Sequence, residues 1–225
     1  MDISGKTFLV CGASGALGGE LVRQLREKGA QVLGTASNND SAARIPAGVE
    51  VRLLLDYTKP ESIKTLTDYL VASADLDGII NASGVVVFGE ASDTPAEIVS
   101  QLFAINATGP IQLLSALAPL LAKKEQSVVV NLTGVVAETA LPSIAVYSAS
   151  KFAINGFLQA TAREWRRAGT NVISARPGHT ETGLADRAIF GTAPKFPAGK
   201  TAQEVASRII QAIETDEKDL PASSF

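Results

Sequence analysis

The chain lacks the residues that would give it a cross-linked or metal-held framework. Among its 225 residues there is one cysteine, Cys11, and one histidine, His179. A lone cysteine excludes an internal disulfide and suits a reducing, cytoplasmic setting. One histidine cannot make a metal site, so no metal is expected. The charge is also unremarkable: 20 basic against 23 acidic residues give a net −3, with no block of one sign. That argues against nucleic acid or an anionic membrane as the main partner. The opening MDISGK has no basic n-region, and FLVCG is too short for the apolar core of a secretion signal. The longest apolar run, 111–122, falls short of a membrane span and contains Pro119.

What is present is an alternation of apolar runs and helical patterns. With 46% hydrophobic residues, the chain can bury one sizeable core, and 1–225 reads as a single domain. Val/Ile/Leu-rich runs predict strands near 6–11, 31–35, 50–55, 76–81, 127–132 and 171–176. Helical spacing predicts helices near 16–28, 60–73, 95–122, 147–168 and 202–215, with Thr94 as N-cap and Pro95 opening the third. Continuous apolar strands separated by helices imply an α/β fold: one doubly wound parallel sheet covered on both faces. The stretch 183–200 has the composition of a mobile loop beside a strand end, where such sheets bind ligands. The tail DLPASSF offers a short edge strand or a frayed end.

The first strand runs into CGASGALG. Gly12 permits a tight turn, Gly15 lets backbone approach a pyrophosphate, and Gly18 lets helix pack on strand. The helix end then presents free N–H groups and a positive dipole to phosphate, so Gly12, Ser14, Gly15, Ala16, Leu17 and Gly18 form a candidate dinucleotide site. Asp56, after the third strand, caps a turn or accepts from an adenine amino group. After the second strand an acid would chelate the ribose of NAD and repel a 2′-phosphate. Here Ser37 and Asn38 stand instead, which favours NADP and leaves NAD possible. Arg44 is the nearest cation, some distance on.

Tyr147 and Lys151 are four apart and share a helix face. A tyrosine pKa of ~10 is too high for proton exchange at neutrality, and a nearby ammonium is expected to lower it. Small residues, Ser148 to Ser150, leave room for a ligand.

Taken together, GASGALG at 12–18, Asp56, NASG at 81–84, Asn106, NLT at 131–133, YSASK at 147–151 and RPGHTET at 176–182 resemble the short-chain dehydrogenase/reductase family over residues 5–215. The resemblance implies that Tyr147 exchanges a proton with a carbonyl or alcohol oxygen while hydride passes to or from a nicotinamide. It implies that Lys151 also binds the nicotinamide ribose, and that Asn106 holds a water linking Lys151 to solvent. Asn81, Ala82, Ser83 and Gly84 would line the adenosine side. Pro177, Gly178, Thr180 and Thr182 would meet the nicotinamide carboxamide. In the family the helices near 95–122 and 147–168 pair about a two-fold axis. Apolar Leu113, Leu117, Leu120, Phe152, Phe157 and Trp165 on them imply a homodimer or homotetramer.

Three departures stand out. Ala16 replaces a glycine, and NASG replaces Asn-Asn-Ala-Gly, which is expected to cost one side-chain contact between strands. At thirteen residues before Tyr147, where the family carries a carbonyl-orienting serine, this chain has Gly134. Thr133, Ser143 or water could substitute, the substrate could supply its own contact, or catalysis could be weak. The expected function is NADP(H)-dependent interconversion of a small uncharged carbonyl compound and its alcohol. The alternative is a cofactor-binding sensor or assembly partner with little turnover.

Overall fold

A computed structural model describes residues 1–225. Its elements are β1 (Thr7–Cys11), α1 (Ala16–Glu27), β2 (Gln31–Ala36), α2 (Asn39–Ala42), β3 (Val51–Leu54), α3 (Pro60–Ser73) and β4 (Gly78–Asn81). There follow α4 (Ala96–Phe103), a π-helical turn (Ala104–Thr108), α5 (Gly109–Leu121), β5 (Ser127–Leu132), α6 (Ala145–Glu164) and β6 (Thr170–Ala175). Two-residue strands β7 (Thr180–Glu181) and β8 (Lys200–Thr201) precede α7 (Ala202–Glu214).

The six long strands make one sheet in the order β3-β2-β1-β4-β5-β6, and every pairing is parallel. Alternation along β1 shows how two faces are covered. Phe8 and Val10 point into one core, with Leu21 and Leu25 of α1 and Ile209 and Ile213 of α7. Leu9 and Cys11 point into the other, with Leu66 of α3, Leu113 of α5 and Ile154 of α6. Truncating a residue so placed, such as Ile209→Ala, costs about 2–5 kcal/mol. The strand order reverses between β1 and β4, which opens a crevice beyond their carboxyl ends.

Several local expectations need correction. Pro95 itself, in extended conformation, is the N-cap of α4, and the Thr94 hydroxyl donates to the Glu90 carbonyl at 3.2 Å instead of capping. The π-turn joins α4 and α5 into one helix, Ala96–Leu121, long and apolar enough to cross a membrane. Half of its most apolar window is buried within the fold, as in a core helix. Leu113, Leu117 and Leu120 are buried against the sheet, which leaves Phe152 as the exposed large apolar residue among those named for association. The tail forms a single bridge, Leu220 to Ala175, followed by a short 3-10 turn.

The stretch 183–200 is anchored and not a free loop. Phe88 N–H donates to the Phe190 carbonyl (3.0 Å), Ile189 N–H to Val86 (3.0 Å) and Lys200 N–H to His179 (3.1 Å). The Phe196 ring stacks on His179 at 4.7 Å between centroids. Val86 and Phe88 lie about a hundred residues away in sequence, which is why composition alone reads as mobility.

Candidate active site

A cavity of about 970 Å³ fills the crevice at the strand reversal. At one end is the glycine turn. Gly12 has φ of +76°, and a Cβ there would stand 2.9 Å from the Ser83 nitrogen. A Cβ on Gly18 would come within 2.1 Å of the Gly12 carbonyl oxygen, so α1 closes on the turn only with glycine there. Gly15 is the N-cap of α1 and has no side-chain cap, which leaves first-turn N–H groups for an anion. Ser14, Gly15, Ala16 and Leu17 line the cavity.

The segment after β2 departs from the sequence expectation. Asn38 is the N-cap of α2: its Oδ1 accepts from Ser41 N–H at 2.8 Å, and its own N–H donates to the Ser41 hydroxyl at 3.2 Å. The amide expected at a ribose is therefore spent on the backbone. The single turn of α2 folds the chain back, so that Ser37, Ser41 and Arg44 line the cavity together. Arg44 is a residue that linear distance had set aside.

Asp56 lines the cavity, but one carboxylate oxygen accepts from Thr58 N–H (3.0 Å) and hydroxyl (2.6 Å), and the other pairs with Lys59 at 2.9 Å. Partial burial pushes its pKa up, yet the hydrogen bonds from Thr58 and Lys59 outweigh that and hold the carboxyl below its ordinary value. It caps its own turn. Ala82, Ser83 and Gly84 are on the wall, whereas Asn81 sits behind it. Its amide donates to Asn131 at 2.6 Å, so β4 and β5 keep a side-chain link, and its oxygen accepts from Tyr57 at 3.2 Å. Cys11 packs beneath, fully buried, with its thiol pushed up to about 12 by desolvation.

At the other end, Tyr147 and Lys151 occupy the start of α6. The Tyr147 hydroxyl makes no hydrogen bond within the chain, and the Lys151 ammonium lies 5.8 Å from its ring and donates to the Leu132 carbonyl at 2.9 Å. The expected lowering of the tyrosine pKa does not occur. Protein encloses the ring except toward the cavity, and desolvation pushes the phenol up to about 12. Desolvation likewise brings Lys151 down to about 8. The ammonium is turned to a carbonyl and not to the phenol, so burial dominates both groups.

Asn106 lies in the π-turn, behind the wall. Its oxygen accepts from Val85 N–H at 2.9 Å, and its amide donates to Val85 O (2.9 Å) and the Ser150 hydroxyl (3.1 Å). It pins the strand exit that passes Lys151, since Gly84 has both Asn106 Oδ1 and Lys151 Nζ 3.4 Å from where a Cβ would be. Pro177, Gly178, Thr180 and Thr182 all line the cavity, as does Arg187, which no sequence signal marked.

Gly134 faces the same cavity with φ +82° and ψ 160°, a conformation essentially reserved for glycine. Around its missing Cβ there is space, the nearest atom being Pro177 O at 3.8 Å. The obstacle to a serine is therefore backbone strain and not crowding. The two hydroxyls expected as substitutes both have partners elsewhere. Thr133 donates to the Ala175 carbonyl (3.1 Å) and shares a hydrogen bond with Ser174, while Ser143 is exposed and donates to Glu90.

Comparison with known proteins agrees with this geometry. A family model described as short chain dehydrogenase matches residues 6–189. The chain is 30% identical over 222 residues to a 3-oxoacyl-(acyl-carrier-protein) reductase of Vibrio cholerae, covering 93% of this chain and 90% of that protein. It is 27% identical over 237 residues to a dehydrogenase/reductase family 7-like protein of Anopheles gambiae, covering 97% and 75%. A short-chain dehydrogenase of Burkholderia cenocepacia in complex with NADP shares the fold at a TM-score of 0.86, with 24% identity over 99% of this chain and 90% of that one. One from Sphingobium yanoikuyae in complex with NADPH gives 0.87, with 24% identity over 96% and 87%. With its parallel six-stranded sheet, its glycine turn and its Tyr147–Lys151 pair, this chain belongs to the short-chain dehydrogenase family.

Proposed function

We propose that the chain reduces carbonyl compounds to alcohols, reversibly, with NADP(H) as its cofactor. The observation that carries this reading is a tyrosine hydroxyl with no partner in the chain, facing a cavity that begins at an uncapped helix end. The residues fit a dinucleotide: Gly12 and Gly18 let β4 and α1 close on the turn, which leaves the uncapped N–H groups after Gly15 open to a pyrophosphate. Arg44 and Ser37 supply a cation and a hydroxyl where a 2′-phosphate would lie, while the Ser41 hydroxyl there donates to the Asn38 carbonyl at 2.9 Å and Asp40 does not line the cavity. When bound, the nicotinamide supplies or accepts a hydride.

The rest belongs to the protein. Tyr147 is protonated at neutral pH, and burial moves its titration still further up, so it is a donor to an oxygen that gains negative charge. Lys151 stays mostly cationic below its value of about 8 and favours the phenolate left behind. Asn106 fixes the backbone at Val85, and Thr180 and Thr182 border the same end. Phe152, exposed on α6, supports a pairing of α6 with a second copy, in a dimer or tetramer. A screen of NADPH oxidation against ketones, aldehydes and quinones tests the activity. Turnover of at least one compound supports it, and NADPH binding without turnover of any would favour the sensor reading.

A further inference from the structure

We infer that the substrates are electronically activated carbonyls on an apolar or aromatic frame, chiefly vicinal dicarbonyls, because the reacting oxygen meets one unpartnered hydroxyl only, that of Tyr147. This rests on the carbonyl-reductase reading above.

The donor inventory comes from the walls around Tyr147. Of the hydroxyls that line this end, Thr133 donates to Ala175 O at 3.1 Å, Thr180 to Gly178 O at 3.1 Å and Thr182 to Thr180 O at 3.4 Å. The N–H groups of Gly134 and Val135 donate to Ala175 O (3.2 Å) and Pro177 O (2.9 Å). Lys151 is directed at Leu132 O. His179 has its ring face on Phe196 and its Nε2 3.4 Å from a Glu181 carboxylate oxygen. Arg187, farther along the wall, donates to Thr182 O at 3.2 Å. Of the hydroxyls at this end, that of Tyr147 alone has no partner in the chain. Between Gly134 and Tyr147 the wall shows only aliphatic side chains, Val135, Val136, Leu141 and Ile144.

A donor aimed at a developing oxyanion contributes about two to three orders of magnitude in rate. A site with one donor reduces an ordinary ketone poorly, unless the carbonyl is already electron-poor. A second, adjacent carbonyl withdraws electron density and supplies that activation from within the substrate. The opposite wall suits a flat frame: Phe196 stacks on His179 and lies 6.0 Å from Phe88, leaving aromatic faces and edges for a planar ring. The reaction balances simply. The carbonyl carbon receives a hydride from the reduced nicotinamide, and the C=O π pair moves to oxygen. That oxygen takes the Tyr147 proton, and Tyr147 is reprotonated from solvent. The products are an α-hydroxyketone and the oxidised nicotinamide. From an ortho-quinone the α-hydroxyketone then loses its carbinol C–H proton to solvent and takes a proton on the second oxygen, giving the hydroquinone.

The test pairs compounds of like shape: phenylpropanedione against propiophenone, and phenanthrenequinone against fluorenone. A kcat/KM ratio of about a hundredfold or more for the activated member of each pair supports the proposal. A smaller ratio overturns it while leaving the reductase reading intact. Failure of every compound despite NADPH binding overturns both. A readout independent of turnover is the infrared carbonyl stretch of propiophenone bound beside oxidised NADP. One donor predicts a downshifted band that returns to its apolar-solvent position in Tyr147→Phe. A downshift that survives that replacement reveals a second donor and contradicts the proposal.

Discussion

At the glycine-turn end of the cavity, backbone makes the site; at the Tyr147 end, side chains do. Gly12, Gly15 and Gly18 act through what they lack, and the uncapped N–H groups of α1 offer recognition that no substitution of a surface residue could imitate. Across the cavity, the walls are Val135, Val136, Leu141, Ile144 and Phe196, and the chemistry hangs on one hydroxyl. The first end is defined by spacing and is therefore strict. The second is defined by volume and donor count, and it is where one member of a fold family can differ from another.

The sharpest way to break this contrast is at Gly18. An alanine Cβ 2.1 Å from the Gly12 carbonyl must displace α1 or the turn. Gly18→Ala should lower the melting temperature by several degrees, from overpacking of about 1–3 kcal/mol, and abolish cofactor binding in calorimetric titration. Normal binding by a stable Gly18→Ala protein would show that the turn tolerates more than its packing allows.

At the other end the next effect is electrostatic. Lys151 falls from 10.5 in the unfolded chain to about 8 in the fold, a difference corresponding to about 3 kcal/mol. The sign follows from proton binding. Below about 8 both states carry the proton and the fold bears the whole cost of burying it. Between about 8 and 10.5 the folded lysine has released its proton and the cost disappears, so this group makes stability rise with pH. Tyr147, raised from 10.0 to about 12, acts oppositely: its contribution is complete below 10 and is lost as pH climbs toward 12. Lys151→Met should therefore be more stable than the wild type at pH 7, and denaturant titrations should show a flatter profile between 8 and 10. A Lys151→Met protein that is less stable at pH 7 would mean that the Leu132 hydrogen bond outweighs the burial cost.

Gly134 gives a smaller change. With φ at +82° and ψ at 160°, Gly134→Ala should cost about 1–3 kcal/mol in denaturant unfolding. Gly134→Ser should cost the same without raising turnover, because strain comes from the backbone and not from the hydroxyl. A serine variant with full stability and faster ketone reduction would show that the 134–135 peptide turns over easily. Smallest is Arg44→Ala, which should weaken NADPH by about tenfold and leave NADH unchanged, as read by calorimetry.

How far these features could be read from sequence follows the same division. The six sheet strands and the long helices were legible because apolar periodicity is local, and Gly12, Gly15 and Gly18 were legible because their spacing is fixed by packing within one turn. The helix α2 was not, since four residues give no period, and Asn38 reads equally as a cap or a ligand. Missing it left Arg44 outside the site. The anchoring of 183–200 depends on Val86 and Phe88, about a hundred residues earlier. Gly134 read as a lost hydroxyl, because the sequence carries no sign of φ. The Tyr147–Lys151 pair was legible as a pair, but its titration was misread, because burial of both groups outweighs their proximity.

Tyr147→Phe is the measurement that tests the account most directly. NADPH oxidation by a competent carbonyl substrate should fall by about two to four orders of magnitude, while NADPH affinity changes less than about twofold, since phenylalanine keeps the ring and deletes only the proton. Turnover within about tenfold of the wild type, with cofactor binding intact, would contradict the claim that this hydroxyl is the proton donor on which the site depends.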